Sequence, residues 1–333
     1  MDWLEIDAAE LRAVIELLSE AEQELADLES EDALQRATLL AHQLPVRIRR
    51  CLNDFRLERM SGVLRISGYE VDQERLGPTP RHWRERQLPS PAHQEEMLLI
   101  LFGSLLGDAF AWATQQDGRL IHDIVPIRGH ENEQMGSSSE SLLTWHTEDA
   151  FHPLRGDFLG LCCLRNPNRA ATTVGFVDDL DLPAGVVEIL SAERFIIRPD
   201  EAHLPKNNSS VGQGTFDGVG EMMRNPAPVA VLFGDPSRPY VRTDPYFMTV
   251  PSNDQEAQAA LDELIKSMDD LMVDLKLESG DFCFLDNYRV VHGRKPFKAR
   301  HDGTDRWLKR INITNDLRKS KSARVGNGVR AIH

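Results

Sequence analysis

Two imidazoles and a carboxylate are spaced for metal chemistry. In His146-Thr147-Glu148 a histidine and a glutamate stand two residues apart, and in a β-strand residues two apart share a face. Both can then hold one metal ion while Thr147 points away. His93-Gln94-Glu95 repeats the pattern where a helix is expected to begin, and there side chains two apart diverge, so it reads as a solvated helix start. A third imidazole, His292, lies in GDFCFLDNYRVVHGR (280–294). A strand ending at Leu285-Asp286, a turn at Asn287, a strand through Val290, Val291 and His292, and a further strand from Trp307 would form a β-meander. Two histidines and one carboxylate on such a scaffold make the facial triad of non-heme iron(II), which leaves positions open for a chelating co-substrate and O₂. Arg306 follows His292 by 14 residues and Arg310 follows by four more on the same face of the next strand. A guanidinium fork matches a carboxylate bidentately, so two such arginines can clamp two different carboxylates. Two other readings stay open on these residues. One is a zinc hydrolase built from His146, Glu148 and either His152 or His292, although zinc needs no arginine clamp; the other is a non-catalytic binding jelly roll.

These residues need rigid elements to hold them. Leu11, Val14, Leu18, Ala21, Leu25 and Leu28 recur at three- and four-residue spacing and predict one amphipathic packing helix. A second helix, apolar nearly all round, is expected from about 92 to 116, beyond Pro-rich connectors at 77–83 and 88–93. From about residue 119 short apolar runs broken by Gly, Pro, Asn and Asp predict strands: LIHDIVPI, LLTWHTE, FLGLCCL, TTVGFV, RFIIR, PVAVLF, FCFLD, RVVHG and WLKRINIT. The polar, Gly-rich span 200–225 interrupts them as a disordered loop or an active-site lid, and 255–277 reads as a helix. The expected architecture is mainly β with flanking helices, a double-stranded β-helix (jelly-roll, cupin-like) core. One oxygenase domain would span 1–333, with a helical flank at 1–118, the core at 119–318 and a basic tail at 319–333.

Composition narrows the partners. The chain has 333 residues, 41% hydrophobic and 27% charged, which suffices for a packed core. Its net charge of −15 disfavours nucleic acid and anionic membranes as partners. The most apolar stretch, MLLILFGSLL (97–106), is far shorter than the roughly 20 residues of a membrane-spanning helix. The acidic start MDWLEID has no signal-peptide pattern, so a cytoplasmic protein is expected. Cys51, Cys162, Cys163 and Cys283 form no CxxC pair and read as buried free thiols. The charge is uneven: residues 289–333 hold 13 Lys plus Arg against three Asp, where the two arginines must meet carboxylates.

WHTEDAFHP (145–153), LDNYRVVHGR (285–294) and HDGTDRWLKRIN (301–312), with TPRHW (79–83), WATQQDGR (112–119), RNPNRAATT (165–173) and RPDEAHL (198–204), resemble the clavaminate-synthase-like iron(II)/2-oxoglutarate oxygenases. Within that branch the likeness is to free-amino-acid hydroxylases of peptide-antibiotic pathways, which include a viomycin-type arginine hydroxylase and a citrulline 4-hydroxylase. The resemblance implies iron(II) at His146, Glu148 and His292, with 2-oxoglutarate and O₂ as co-substrates. It implies that Arg306 pairs with the distal carboxylate of 2-oxoglutarate, helped by the hydroxyl of Thr173, or of Thr172 beside it. It places Arg310 on the α-carboxylate of the amino-acid substrate, Gln115 and Glu148 near its α-amine, and Asp200 on a lid over its side chain.

One departure bears on substrate choice. The arginine hydroxylases carry an Asp-x-Asp pair facing the guanidinium, whereas this chain reads Asp244-Pro245-Tyr246. A phenol can donate to the carbonyl of a neutral ureido group and a carboxylate cannot. The expectation is therefore hydroxylation of L-citrulline at C4, with L-arginine oxidised at C3 or C4 as the alternative.

Overall fold

The protein is described from a computed structural model covering residues 1–208, 214–324 and 330–333. Two β-sheets face each other. The larger runs, in spatial order, Asp2–Glu5, Val63–Ser67, Phe282–Asp286, Phe158–Arg165, Trp307–Thr314, Asp108–Trp112 and Ala331–Ile332, with His122–Ile124 also pairing to Trp307–Thr314. The smaller runs Val273–Leu275, Thr172–Phe176, Val290–Arg294 and Leu143–His146. Alternation sends every second residue inward, so Leu159, Leu161, Val174, Leu285, Val290 and Leu308 pack between the sheets. The result is a mainly β jelly roll with helices outside, as the patterning predicts.

Helices Ala8–Ala21, Glu31–Leu40, Val46–Arg56 and His93–Ser104 cover the outer face of the larger sheet, where Val14, Leu18, Leu34, Phe55 and Phe102 join Phe282, Phe284 and Ile311 in one core. The first of these begins with a capping box in which Asp7 accepts from the Glu10 backbone and Glu10 reaches back to Asp7. Helix Gln255–Leu271 covers the smaller sheet, packing Leu264 and Met268 against Val291. No helix of the described residues is long and apolar enough to cross a membrane. All four cysteines are free; three are buried and Cys51 is half-buried.

Several expected boundaries shift. The helix expected to 116 ends at Ser104, and Asp108–Trp112 is a strand of the larger sheet. A continuous apolar run does not distinguish a buried helix from a buried strand. The change of element falls at Gly107, where a Cβ would lie 2.4 Å from the Thr314 carbonyl oxygen, so only glycine lets the two segments approach. The expected helical flank thus also supplies three strands, Asp2–Glu5, Val63–Ser67 and Asp108–Trp112. The helix expected to 277 stops at Leu271 and gives way to strand Val273–Leu275. In the expected lid, turns Glu201–His203 and Pro205–Asn207 precede helix Asp217–Arg224, while 209–213 lie outside the described residues. The expected basic tail begins within turn Leu317–Ala323 and ends as Ala331–Ile332, paired in parallel with Asp108–Trp112; 325–329 lie outside the described residues.

Candidate active site

A cavity partly open to solvent lies between the two sheets, with the segment from Asp200 forming part of its wall. Its lining includes Gln115, His146, Glu148, Thr172, Asp200, Asp244, Tyr246, His292, Arg306 and Arg310. Nine of the ten side chains assigned to the site from the sequence line this cavity; the exception is Thr173, in whose place its neighbour Thr172, the stated alternative, lines it. Strand parity explains this: Thr172, Val174 and Phe176 face inward, so Thr173 faces out, its hydroxyl directed toward the outer side of Gly293.

His146 and His292 are direct cross-strand partners in Leu143–His146 and Val290–Arg294, with ring centroids 4.7 Å apart. Glu148 lies just past the end of its strand, a correction to the two-apart strand expectation. It is fixed there by Asn287, whose Oδ1 accepts from the Glu148 N–H at 2.7 Å and whose Nδ2 donates to the Glu148 carbonyl at 3.0 Å. Thr147 still points away, its hydroxyl donating to the Thr243 carbonyl at 3.2 Å. Glu148 Oε2 is 3.4 Å from His292 Nε2 and 3.9 Å from His146 Nε2.

This donor set fits a divalent metal. One ligand atom from each of the three residues lies within 4.8 Å of the others. His146 Nδ1 sits 2.8 Å from the Thr144 carbonyl, so that nitrogen carries a proton and Nε2 is the one turned toward Glu148. Despite burial, Arg310 and the two imidazoles hold the Glu148 carboxyl far below the usual carboxylate range, and burial keeps His292 below the ordinary histidine value. A carboxylate and a neutral imidazole are the forms a metal binds.

Arg306 fits a carboxylate ligand. It is 5% exposed, its Nε has no partner, and its one hydrogen bond to a described residue is a long one, Nη2 to Thr172 Oγ1 at 3.4 Å. Burial lowers its pKa to about 10, which leaves it charged at neutral pH. A buried cation with no acid beside it is costly unless an anion arrives. Arg310 stands two strand positions deeper on the same face, beyond Leu308, and donates to Glu148 Oε1 and, at 2.7 Å each, to Gln115 Oε1 and His122 Nδ1.

Two further carboxylates line the cavity. Asp244 accepts from the backbone N–H groups of Tyr246 and Phe247, and Asp200 from that of Ala202. Burial raises both carboxyls, Asp200 to about 6, with Asp149, Glu148 and Asp244 adding to the shift at Asp200. Tyr246 lies at the rim, 59% exposed, its hydroxyl without a hydrogen bond to the described residues.

The segment from Asp200 is fastened by His203, which lies in RPDEAHL (198–204) and has no role in the expected ligand set. His203 is fully buried, with Nε2 2.9 Å from Asp149 Oδ1 and Nδ1 2.7 Å from Thr114 Oγ1. Asn208 adds a bond from Nδ2 to the Thr114 carbonyl at 2.7 Å. Asp149, Asp200 and His203 also lie close enough to suggest a metal cluster. Both nitrogens of His203 are already engaged, so the group reads as a latch. His122 was likewise missed; only its place opposite Arg310 marks it, and strand pairing is invisible in the bare sequence.

Comparison with known proteins agrees with this geometry. The family model described as Taurine catabolism dioxygenase TauD, TfdA family matches residues 203–312. The chain is 44% identical to the enduracididine beta-hydroxylase of Streptomyces hygroscopicus over 98% of this chain and 97% of that one. It is 43% identical to the L-ornithine/L-arginine 3-hydroxylase of Catenulispora acidiphila over the whole of both chains. Among solved structures, the non-heme iron oxygenase OrfP in complex with Fe, succinate and (3S)-hydroxy-L-Arg superposes with a TM-score of 0.96 at 45% identity, covering both chains fully.

Proposed function

We infer, for a chain that belongs to the clavaminate-synthase-like iron(II)/2-oxoglutarate amino-acid hydroxylases of the TauD/TfdA family, that the substrate is L-arginine and the carbon oxidised is C3. The enzyme is a 2-oxoglutarate-dependent dioxygenase that takes iron(II), 2-oxoglutarate and O₂. Bound iron supplies the oxidant: one atom of O₂ enters the keto acid as it becomes succinate and CO₂, and the other enters a C–H bond of the amino acid.

The residues of this chain do the placing. In the proposed assignment His146, Glu148 and His292 hold the metal, Arg306 with Thr172 receives the distal carboxylate of 2-oxoglutarate, and Arg310 the α-carboxylate of the substrate. Gln115 and Glu148 offer oxygens to the α-amine. Fixing the substrate at both ends selects the carbon that reacts, because the nearest C–H is the one attacked.

The observation that carries the choice of substrate is a second pair of carboxylates lining the same cavity, Asp244 buried and Asp200 half-buried, each with its charged form disfavoured. Two desolvated acids call for a cation, and a guanidinium supplies one where a ureido group does not. Citrulline at C4 is the less supported reading. It rested on a phenol donating inside the pocket, and Tyr246 stands at the rim with its hydroxyl unengaged. C3 rests on the relatives named for 3- or beta-hydroxylation. A role in peptide-antibiotic assembly rests on the sequence resemblance alone. The test is a panel of L-arginine, L-ornithine, L-lysine and L-citrulline with iron(II) and 2-oxoglutarate, read by mass for a one-oxygen gain and by NMR for position. Arginine gaining one oxygen at C3, with stoichiometric succinate, supports the reading; no gain on any of the four would remove it.

A further inference from the structure

We propose that His122 is a positioning residue for substrate recognition: it fixes the guanidinium of Arg310 so that this arginine can receive the amino acid's α-carboxylate. The inference deepens the functional reading and rests on it. His122 and Arg310 are register partners in the paired strands His122–Ile124 and Trp307–Thr314. The imidazole is 2% exposed and does not line the cavity, so it cannot touch the substrate and can act only through its neighbour.

Its tautomer follows from its two partners. Nδ1 lies 2.7 Å from Arg310 Nη2, a donor that is always protonated, so Nδ1 must be the accepting lone pair. The proton is then on Nε2, which donates to the Arg119 carbonyl 2.9 Å away. Both ring nitrogens are used, and the ring is neutral. Burial and the adjacent Arg310 charge favour that neutral form.

Two acceptors, His122 Nδ1 and Gln115 Oε1, thus hold Nη2, while Nη1 donates to Glu148 and Nε has no partner. Glu148 is also the proposed metal ligand, so when a carboxylate enters, Arg310 must share or leave that contact. The anchor at Nη2 keeps the guanidinium plane in place through the exchange. Without it, a long side chain free to rotate gives up the preorganisation that makes a bidentate pair strong. Gln115 is expected to turn toward the substrate amine, which leaves His122 as the anchor that stays.

The test is calorimetric binding to the metal-free protein, comparing L-arginine with its α-carboxamide, which keeps the side chain and amine but lacks the carboxylate charge. His122→Leu removes the acceptor, and His122→Asn keeps an oxygen acceptor near the Nδ1 position. We expect His122→Leu to weaken L-arginine at least tenfold and the amide less than twofold, with 2-oxoglutarate binding unchanged. His122→Asn should stay within threefold of wild type for L-arginine. Equal losses for acid and amide, or no loss for the acid, would overturn the proposal. If His122→Leu does not fold, the Asn variant decides alone: a tenfold loss of L-arginine at an unchanged melting temperature also overturns it. Wild-type protein that binds none of the amino acids would instead count against the functional reading.

Discussion

Thr172 Oγ1 lies 3.4 Å from Arg306 Nη2 and is the one hydrogen-bonding partner that the described residues give this buried guanidinium. The adjacent Thr173 faces the other side of the sheet. Thr172→Val should therefore raise the KM for 2-oxoglutarate, by roughly 5- to 30-fold if about 1–2 kcal/mol of hydrogen bonding to a charged group is lost. Thr173→Val should leave it within twofold. Steady-state kinetics at saturating amino acid separates them.

That pair shows what the sequence can carry and where it stops. His146, His292, Arg306 and Arg310 were legible because spacing and residue type already imply a metal and two carboxylates. The choice between Thr172 and Thr173 was not, since a one-residue uncertainty in strand phase flips every side chain to the opposite face. Glu148 was found for a reason that was only half right: it reaches the centre from a turn held by Asn287 rather than from a strand. The strand Asp108–Trp112 was hidden inside an apolar run that also suits a helix. His122 and His203 were invisible as site residues because their partners, Arg310 and Asp149, are 188 and 54 residues away in the chain.

Asp244→Asn removes one of the two charges facing the substrate's side chain and keeps the shape. The ratio of kcat/KM for L-arginine to that for L-citrulline should fall at least tenfold, about 1.4 kcal/mol of discrimination, mostly through arginine. An unchanged ratio would mean that Asp244 does not face the side-chain terminus.

The acidic pair also sets a pH dependence. Asp200 titrates near 6 instead of its ordinary 3.8, because burial and the neighbouring carboxylates penalise its charge. A proton there competes with a guanidinium, so the affinity of the metal-free protein for L-arginine should weaken as pH falls through about 6. Citrulline binding should show no such decline. For folding the sign is opposite: between 3.8 and about 6 the folded state holds the proton more tightly than the unfolded chain, so this group's contribution to stability grows as pH falls through that window. Calorimetric titrations from pH 5 to 8 read the first effect, and thermal melts the second.

His203→Leu should loosen the segment 200–208 by leaving Asp149 Oδ1 and Thr114 without their buried partner, a loss of about 1–3 kcal/mol. The expected result is faster proteolysis within this segment and a KM for L-arginine raised about tenfold, with the KM for 2-oxoglutarate unchanged. Limited proteolysis followed by mass spectrometry locates the cut.

The central claim is that two acids lining the cavity, Asp200 and Asp244, select a cationic amino acid. Its most direct measurement is competition: equal concentrations of L-arginine and L-citrulline in one vessel with enzyme, iron(II) and limiting 2-oxoglutarate, the two hydroxylated products being counted by mass spectrometry. Hydroxyarginine should exceed hydroxycitrulline by at least tenfold. An excess of hydroxycitrulline would contradict the account and return the choice of substrate to Tyr246.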